Sequence, residues 1–501
     1  MKLKSLTIVF ALLAASCTAG FEELNKNPNQ MEVGNVSPAS LMPDIIYRGA
    51  SGLVGQSYLL TNELMQYSVS ANSTDAYHRY MIPAGTVAST WNTLARWAAS
   101  ADHMASLCGD EANLANFKAI ALTLRAFYMQ MLTDTYGDIP FSEAFQAMEG
   151  NVKPKFDSQR DIYLQLIKDL EEANSLYTTR FVLTDSQKNK DLLYRGNIMR
   201  WKRFTNSLLL RVLLRVSACN DNEISAPARI RRMFEHPDDW PVFTGLDDEA
   251  VMRFTGEDPN VNPYGSYNDV WFSNNRRAGE SIINRMKDLG DPRLTLWCNQ
   301  HGGVWKGSKS GGATREETGV ADAASFRKEI LTDYNSPYTL MAYDEVLFIW
   351  AESALKGYID GGSAVAGDFY SKAIESSIRH WSAMPGNTNP VSEAAISQYI
   401  AKVPWDGSFT LLMNQKYLAL FWVAFEPWAE YRRTGLPDLP IAPTTKNDGI
   451  LPRRLPYPIN SAATNPDNYA DAVAILKNRY KGADDMKTPV WWSKYRVDNN
   501  L

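Results

Sequence analysis

Ile162, Leu166, Ile167, Leu170, Ala173 and Tyr177 recur at i, i+4, i+5, i+8, i+11 and i+15. A helix of about 3.6 residues per turn brings such positions to one side, so the spacing predicts an amphipathic helix starting after Asp157 as its N-cap. A second apolar pattern predicts a helix from about Asn197 to Ala218, and Leu340, Tyr343, Leu347, Trp350, Ala351 and Ala354 place a third stripe ahead of Gly357. Phe369 to Trp381 is expected to fold back on that third helix through a Gly361-Gly362 turn, giving an antiparallel couple. Upstream, Ser37-Pro38 supplies an N-cap and first turn for a helix reaching about Ser70, weakened or bent by Gly49, Gly52 and Gly55. Two more helices are predicted at about 88–107 and 111–133.

The pattern breaks in three places. Asn72 to Ala84 is expected to be an exposed loop carrying Tyr77, His78, Arg79 and Tyr80. Between His236 and Pro337 no helical period is sustained, and 11 of the 30 glycines fall there, so a loop-rich lobe is predicted. From Gly435 to Pro458 the chain is rich in proline, with one short helix expected near Tyr469 to Lys477. The helix pairs resemble tetratricopeptide repeats, although no fixed period of about 34 residues runs through the chain. The predicted fold class is therefore mainly α, a tetratricopeptide-like helix-pair scaffold with a loop-rich irregular lobe. No linker separates composition on its two sides, so residues 37–501 read as a single domain. Its helical body spans about 37–235 and 338–435, its lobe about 236–337, and its irregular C-terminal region 436–501.

Ahead of residue 37 the pattern has another meaning. Lys2 and Lys4 precede an apolar run from Leu6 to Ala15, and Ser16 and Cys17 follow, the layout of a secretory signal. A cysteine directly behind small residues indicates a bacterial lipoprotein signal over 1–16, with Cys17 lipidated and residues 17–36 as a tether. Ala14 stands where the usual lipobox has Leu, and an ordinary secretory signal is the alternative. The apolar run is too short to span a bilayer, and so is the longest later one, Leu418 to Phe425, so the lipid would be the membrane attachment.

The formal charge is −5 and becomes −7 once Lys2 and Lys4 leave with the signal, which argues against a nucleic-acid partner. Cys108, Cys219 and Cys298 are widely spaced, without metal-ligand spacing, and read as buried thiols. HExxH, GxSxG and GxGxxG are absent. GGVWKGSKS at Gly302 to Ser310 is a near miss to a phosphate loop, because Ser308 intrudes between Gly307 and Lys309 and no helical pattern follows. A glycosidase needs two carboxylates about 5–10 Å apart across a cleft. The adjacent acids Asp247-Asp248-Glu249, Glu171-Glu172 and Glu316-Glu317 read more simply as solvated faces. The five histidines lack metal-ligand neighbours at helical spacing, and no calcium loop is present. No catalytic residue, metal or cofactor is predicted.

Aromatic surface is what remains. Sugar rings present flat C–H faces edged by hydroxyls, so their sites combine Trp or Tyr planes with amide and Arg hydrogen-bonders. Loop position selects two groups: Asn72, Tyr77, Arg79 and Tyr80; and Tyr264, Tyr267, Asn268 and Trp271, with Trp297 and Trp305 behind them. Core packing is the competing reading for every large aromatic, and Trp91 and Trp97, within a predicted helix, are assigned to it.

Six segments carry a family resemblance: FEELNKNPN at Phe21 to Asn29; LTDTYGDIPFSEAF at Leu132 to Phe145; RWKRFTNSLLLRVLLRVS at Arg200 to Ser217; YTLMAYDEVLFIWAESALKG at Tyr338 to Gly357; NQKYLALFWVAFEPWAEYRRTGLPDL at Asn414 to Leu439; and LPRRLPYP at Leu451 to Pro458. In this order, behind a lipobox, they make the chain resemble the SusD/RagB family of outer-membrane nutrient-binding lipoproteins of Bacteroidetes. One departure is that Ile459, Asn460 and Ser461 stand where many relatives carry an acid after the YP dipeptide. By their own chemistry the segments read as structural. Gly137 and Pro140 turn the chain at a helix end, with Asp138 bonding the freed backbone. Arg432 and Arg433 favour the dipole at the end of a long helix by ~0.3–1 kcal/mol, Gly435 closes that helix, and Pro427 kinks it.

The resemblance implies capture of a nutrient, an oligosaccharide in the first place, with peptides and other nutrients left open. It also implies a SusC-like TonB-dependent outer-membrane β-barrel as partner, for which the chain would act as a lid. The location implied is the outer membrane, lipid-anchored and facing outward, and Glu22 and Glu23 resemble a surface-export signal of these bacteria. Ligands would meet an aromatic arc on a loop face, whose residues no motif carries over. A surface glycoside hydrolase and a non-catalytic protein–protein scaffold remain the rival readings.

Overall fold

The computed structural model describes residues 36–70, 77–265 and 276–498. The signal, Cys17 and the FEELNKNPN segment lie outside the described residues. The stripe at 162–177 folds as the helix Gln159–Leu176, but its cap is Ser158, whose side chain accepts the Asp161 N–H. Asp157 serves the preceding turn instead, its Oδ2 accepting the main-chain N–H groups of Phe141 and Ser142 at 3.0 and 2.7 Å. Gly137 makes the turn at φ 85. Asp138 accepts the Gln159 N–H at 2.8 Å, so it ties the turn forward to the next helix rather than back to the one just ended.

Numbering the longer helices in chain order, α1 is Pro38–Gln56, α2 Ala84–Ser106, α3 Ala115–Tyr136, α4 Gln159–Leu176, α5 Ile198–Val216, α6 Ala226–Glu235 and α7 Glu280–Lys287. Then come α8 Tyr343–Leu355, α9 Gly362–Ser382, α10 Glu393–Lys402, α11 Phe409–Ala419, α12 Glu426–Thr434, α13 Pro466–Tyr480 and α14 Trp491–Asp498. Successive helices pack as pairs, α2 on α3, α3 on α4, α4 on α5 and α8 on α9. The last couple is the predicted one, turned by Gly361 at φ 104. Gly49 has a packing reason: a Cβ there would stand 1.9 Å from the Tyr128 hydroxyl, which bonds the Ile45 carbonyl. The glycine expected to weaken α1 admits a tyrosine from α3.

Three antiparallel strand pairs were invisible to the periodicity, because strands of two to four residues are too short to alternate. β1 (Ser68–Ser70) pairs with β3 (Arg276–Ala278), β2 (Ala250–Met252) with β6 (Tyr338–Met341), and β4 (Cys298–Asn299) with β5 (Ser325–Phe326). The first of these joins a strand next to α1 to one from the irregular lobe. The glycine-rich loop packs beneath it: a Cβ on Gly307 would lie 2.3 Å from the Glu280 Cα, and Ser308 exchanges main-chain hydrogen bonds with Ala278 and Glu280. Close approach to protein backbone accounts for Gly307, and left-handed backbone at φ 55 and 76 for Gly302 and Gly303. The C-terminal region is more helical than its prolines suggested, since α13 is longer than the helix expected there and α14 follows it.

The helix that Pro427 was expected to kink is two helices. α11 ends at Ala419, the backbone passes through positive φ at Trp422 and Ala424, and α12 begins with Pro427 in its first turn, where the missing N–H costs nothing.

Arg432 and Arg433 do more than complement a dipole, because they belong to a buried ionic cluster. Arg211, Arg215, Lys416, Arg432 and Arg433 meet Asp134, Glu345, Glu352, Glu426 and Glu430, every one at most 8% exposed. Equal numbers of the two signs keep the cluster neutral, as burial requires. Arg215 contacts Glu430 at 2.6 Å, and Arg433 lies 2.6 Å from Glu352 and 2.7 Å from Glu430. Arg432 donates to the Asp134 and Arg453 carbonyls. Burial would raise the Glu352 carboxyl, but Arg433 and Lys356 overcome it and hold the pKa at about 2. The cluster joins α3, α5, α8, α11 and α12, and its members come from four of the six motif segments. A fifth, LPRRLPYP, docks through Arg454, which donates to the Tyr136 carbonyl at 2.9 Å and to Asp484 at 2.7 Å.

Candidate functional site

The β1–β3 ladder ends with Ser70 opposite Arg276. The chain leaves Ser70 towards Asn72 and enters Arg276 from the Trp271 side, so the two loop segments singled out in the sequence attach at one end of one ladder. Asn72, Tyr267, Asn268 and Trp271 themselves lie outside the described residues.

A buried charge pair forms the base. Glu63 and Arg276 stand 2.9 Å apart, and the Arg276 guanidinium lies 4.1 Å from the centre of the Tyr58 ring, which in turn packs 5.0 Å from that of Tyr264. Burial pushes the Glu63 carboxyl up to about 7, against the pull of Arg276 and the His78 N–H. His78 is the hub beside it. Its main-chain N–H bonds Glu63 at 2.9 Å, and its Nδ1 accepts the Gly311 N–H at 2.9 Å. Burial, with the charges of Arg79 and Arg276, lowers the His78 pKa to about 4. The ring is therefore neutral at pH 7 and carries its proton on Nε2. Thr444 donates to the Gly311 carbonyl and the Lys446 N–H bonds the Arg79 carbonyl at 2.8 Å. Three separate loops, around 77–80, 308–312 and 442–446, are thereby fixed to one another.

The candidates divide by burial. Tyr264 is half-buried, one face on Tyr58, and Arg79 is half-buried with an Nη2 contact to the Thr444 carbonyl at 3.4 Å. Trp305 is half-buried against the core. Tyr77 and Tyr80 are corrections to the expected exposed loop: Tyr77 is 6% exposed with its hydroxyl 3.0 Å from that of Thr86, and Tyr80 is 2% exposed in a left-handed turn. Trp297 is a core residue with no exposed surface, its ring centre 4.4 Å from that of Phe421 and 5.4 Å from that of Trp381. Glu63, His78 and Arg276 were not selected by sequence. The one available signal was an acid, Glu63, inside the apolar stretch LLTNELM.

Four of the acids considered for hydrolysis are engaged by the protein itself. Asp248 takes the Arg203 guanidinium at 3.0 Å, Glu249 bonds His380 at 2.7 Å, Glu171 holds Arg229 and Arg232, and Glu317 accepts the Ala313 N–H. Among the described residues no helix is long and apolar enough to cross a membrane.

Helix pairs of tetratricopeptide type, joined to a loop-rich irregular lobe, define a class of mainly helical scaffold proteins. The family model that matches, SusD-like and described as starch-binding and associating with the outer membrane, covers residues 28–458. The chain belongs to the SusD-like family. Similar solved structures include a chitin-binding protein (24% identity, TM-score 0.78, covering 91% of this chain and 100% of that one). A SusD homologue from Bacteroides fragilis (23%, 0.75, 91% and 98%) and a chitin-binding SusD homologue from Flavobacterium johnsoniae (21%, 0.75, 91% and 98%) share the fold. None of the curated proteins compared with the chain matches it.

Proposed function

We propose that this chain is a cell-surface lipoprotein that captures an oligosaccharide on its loop face and passes it to a SusC-like TonB-dependent β-barrel, over which it acts as a lid. The observation that carries the reading is the β1–β3 register, which sets Ser70 opposite Arg276, so that both candidate segments attach at the end of the ladder where Glu63 and Arg276 pair and Tyr264 packs on Tyr58. Aromatic planes beside amide and guanidinium donors suit the stacked faces and hydroxyl edges of sugars. The family's starch-binding description and the chitin-binding character of two structural neighbours support a glycan ligand. The engagement of Asp248, Glu249, Glu171 and Glu317 by protein partners supports binding without bond cleavage.

Calorimetric titration against starch, chitin and other oligosaccharides, with product analysis of each mixture, tests this reading. Binding without cleavage is expected, and Tyr264→Ala should weaken it about three- to tenfold, the worth of one stacked ring. Cleavage of a glycan that binds nowhere on this face would favour the hydrolase. Capture of proteins from native membranes without any large β-barrel would favour the scaffold. For the anchor, Cys17→Ala is expected to release the protein from the cell, and unchanged surface labelling would contradict a lipid at that position.

A further inference from the structure

On the other side of the lobe, between the β2–β6 pair and the C-terminal end of α9, lies a cavity of about 480 Å³. Small-molecule sites run from roughly 300 to 1,000 Å³. It has a built polar floor. His380, 6% exposed, holds its Nδ1 2.7 Å from Glu249 Oε2 and its Nε2 3.1 Å from the Thr339 hydroxyl, while Glu249 Oε1 accepts the Tyr343 N–H at 3.0 Å. Burial disfavours a charge on His380, but Glu249 and Asp344 outweigh it and raise the imidazole's pKa.

Arg253 lines the same cavity. Among the described residues it has no hydrogen bond or ion pair, and its charge works against the proton on His380. Asp247, the other lining acid, is almost wholly solvated and lies 3.9 Å from Arg200. A guanidinium without an ion pair at the wall of a cavity offers a contact for an anion. Asn335 adds an exposed amide beside it, and Phe254 and Met384 supply apolar wall. Carboxylate pairing to Arg, an amide for hydroxyls and an apolar surface for ring C–H groups together describe an acidic sugar.

We infer that this cavity is a second ligand site, which takes a carboxylate-bearing sugar ring of the uronic acid class through Arg253 and Asn335. It uses none of the residues of the β1–β3 face and stands or falls apart from it. Chemical-shift titration of the folded protein with glucuronate and galacturonate, against glucose and the uronate methyl esters, tests it. At least one uronate should bind and perturb His380, with its ester and glucose at least about tenfold weaker. Arg253→Gln, at an exposed position, should weaken uronate by about tenfold, whereas Tyr264→Ala should leave it unchanged. Equal affinity for acid and ester, uronate binding indifferent to Arg253→Gln, or absence of any uronate binding at millimolar concentration would overturn the assignment. Loss of uronate binding in Tyr264→Ala alone would move the acid site to the β1–β3 face and overturn it too.

Discussion

Glu430→Gln is expected to cost about 3–5 kcal/mol of folding stability, the penalty of leaving buried cations without their counter-ion. Three of them depend on this carboxylate: Arg215, Lys416 and Arg433. An amide of the same shape keeps the packing and removes the charge, so the loss reads electrostatics rather than a cavity. Glu393→Gln is the control, because it breaks an exposed pair with Arg379 and should leave the unfolding midpoint nearly unchanged. Urea unfolding of the two variants decides the matter, and equal midpoints would mean that the cluster contributes nothing.

The same cluster sets an acid limit. Burial raises Glu352 and Glu430, but their cationic partners more than offset it, leaving Glu352 at about 2 and Glu430 well below its ordinary value. A carboxyl held below its unfolded pKa of about 4.3 contributes stability above that pH and loses it as pH falls through the folded value. Stability is therefore expected to fall from about pH 5 towards pH 2, less steeply in Glu430→Gln, which has one such carboxyl fewer. Parallel acid profiles for the two proteins would count against this origin.

Arg276→Met is the second change with a large expected effect. It leaves Glu63 buried without its cation, and the predicted cost is again about 3–5 kcal/mol, reduced if Glu63 takes up a proton. The sign follows from the raised carboxyl. A folded-state pKa above the unfolded one makes folding less favourable as pH rises between the two, so the variant should lose stability across about pH 5 to 8 more steeply than the parent. Because Arg276 also supports Tyr58 and through it Tyr264, the variant should weaken glycan binding by up to the effect of Tyr264→Ala while keeping its helical circular dichroism. Unchanged affinity in a folded Arg276→Met protein would detach the base from the site.

The helical body was legible because its signal is local. The stripes at 162–177 and 340–354, and the α8–α9 couple with its Gly361 turn, each lie within one helix or one hairpin. The ionic cluster was not legible, since Arg211 finds Glu345 and Arg215 finds Glu430 from distant segments, and a pair of arginines at a helix end has a sufficient local explanation in the dipole. Burial of aromatics failed for the same reason. Trp297 and Tyr264 look alike in a glycine-rich region, but Trp297 meets Phe421 and Trp381 while Tyr264 stays half-buried. What joins the two candidate segments is a three-residue strand pair, Ser68–Ser70 with Arg276–Ala278, too short to leave any period in the sequence.

The most direct test of capture at the β1–β3 face is a crystal structure of the protein with the oligosaccharide that binds best in titration. An intact sugar chain is expected where Ser70 meets Arg276, with one ring against Tyr264 and a hydroxyl in reach of Arg79. An intact chain seated only elsewhere, or cleaved product at any site, would contradict it.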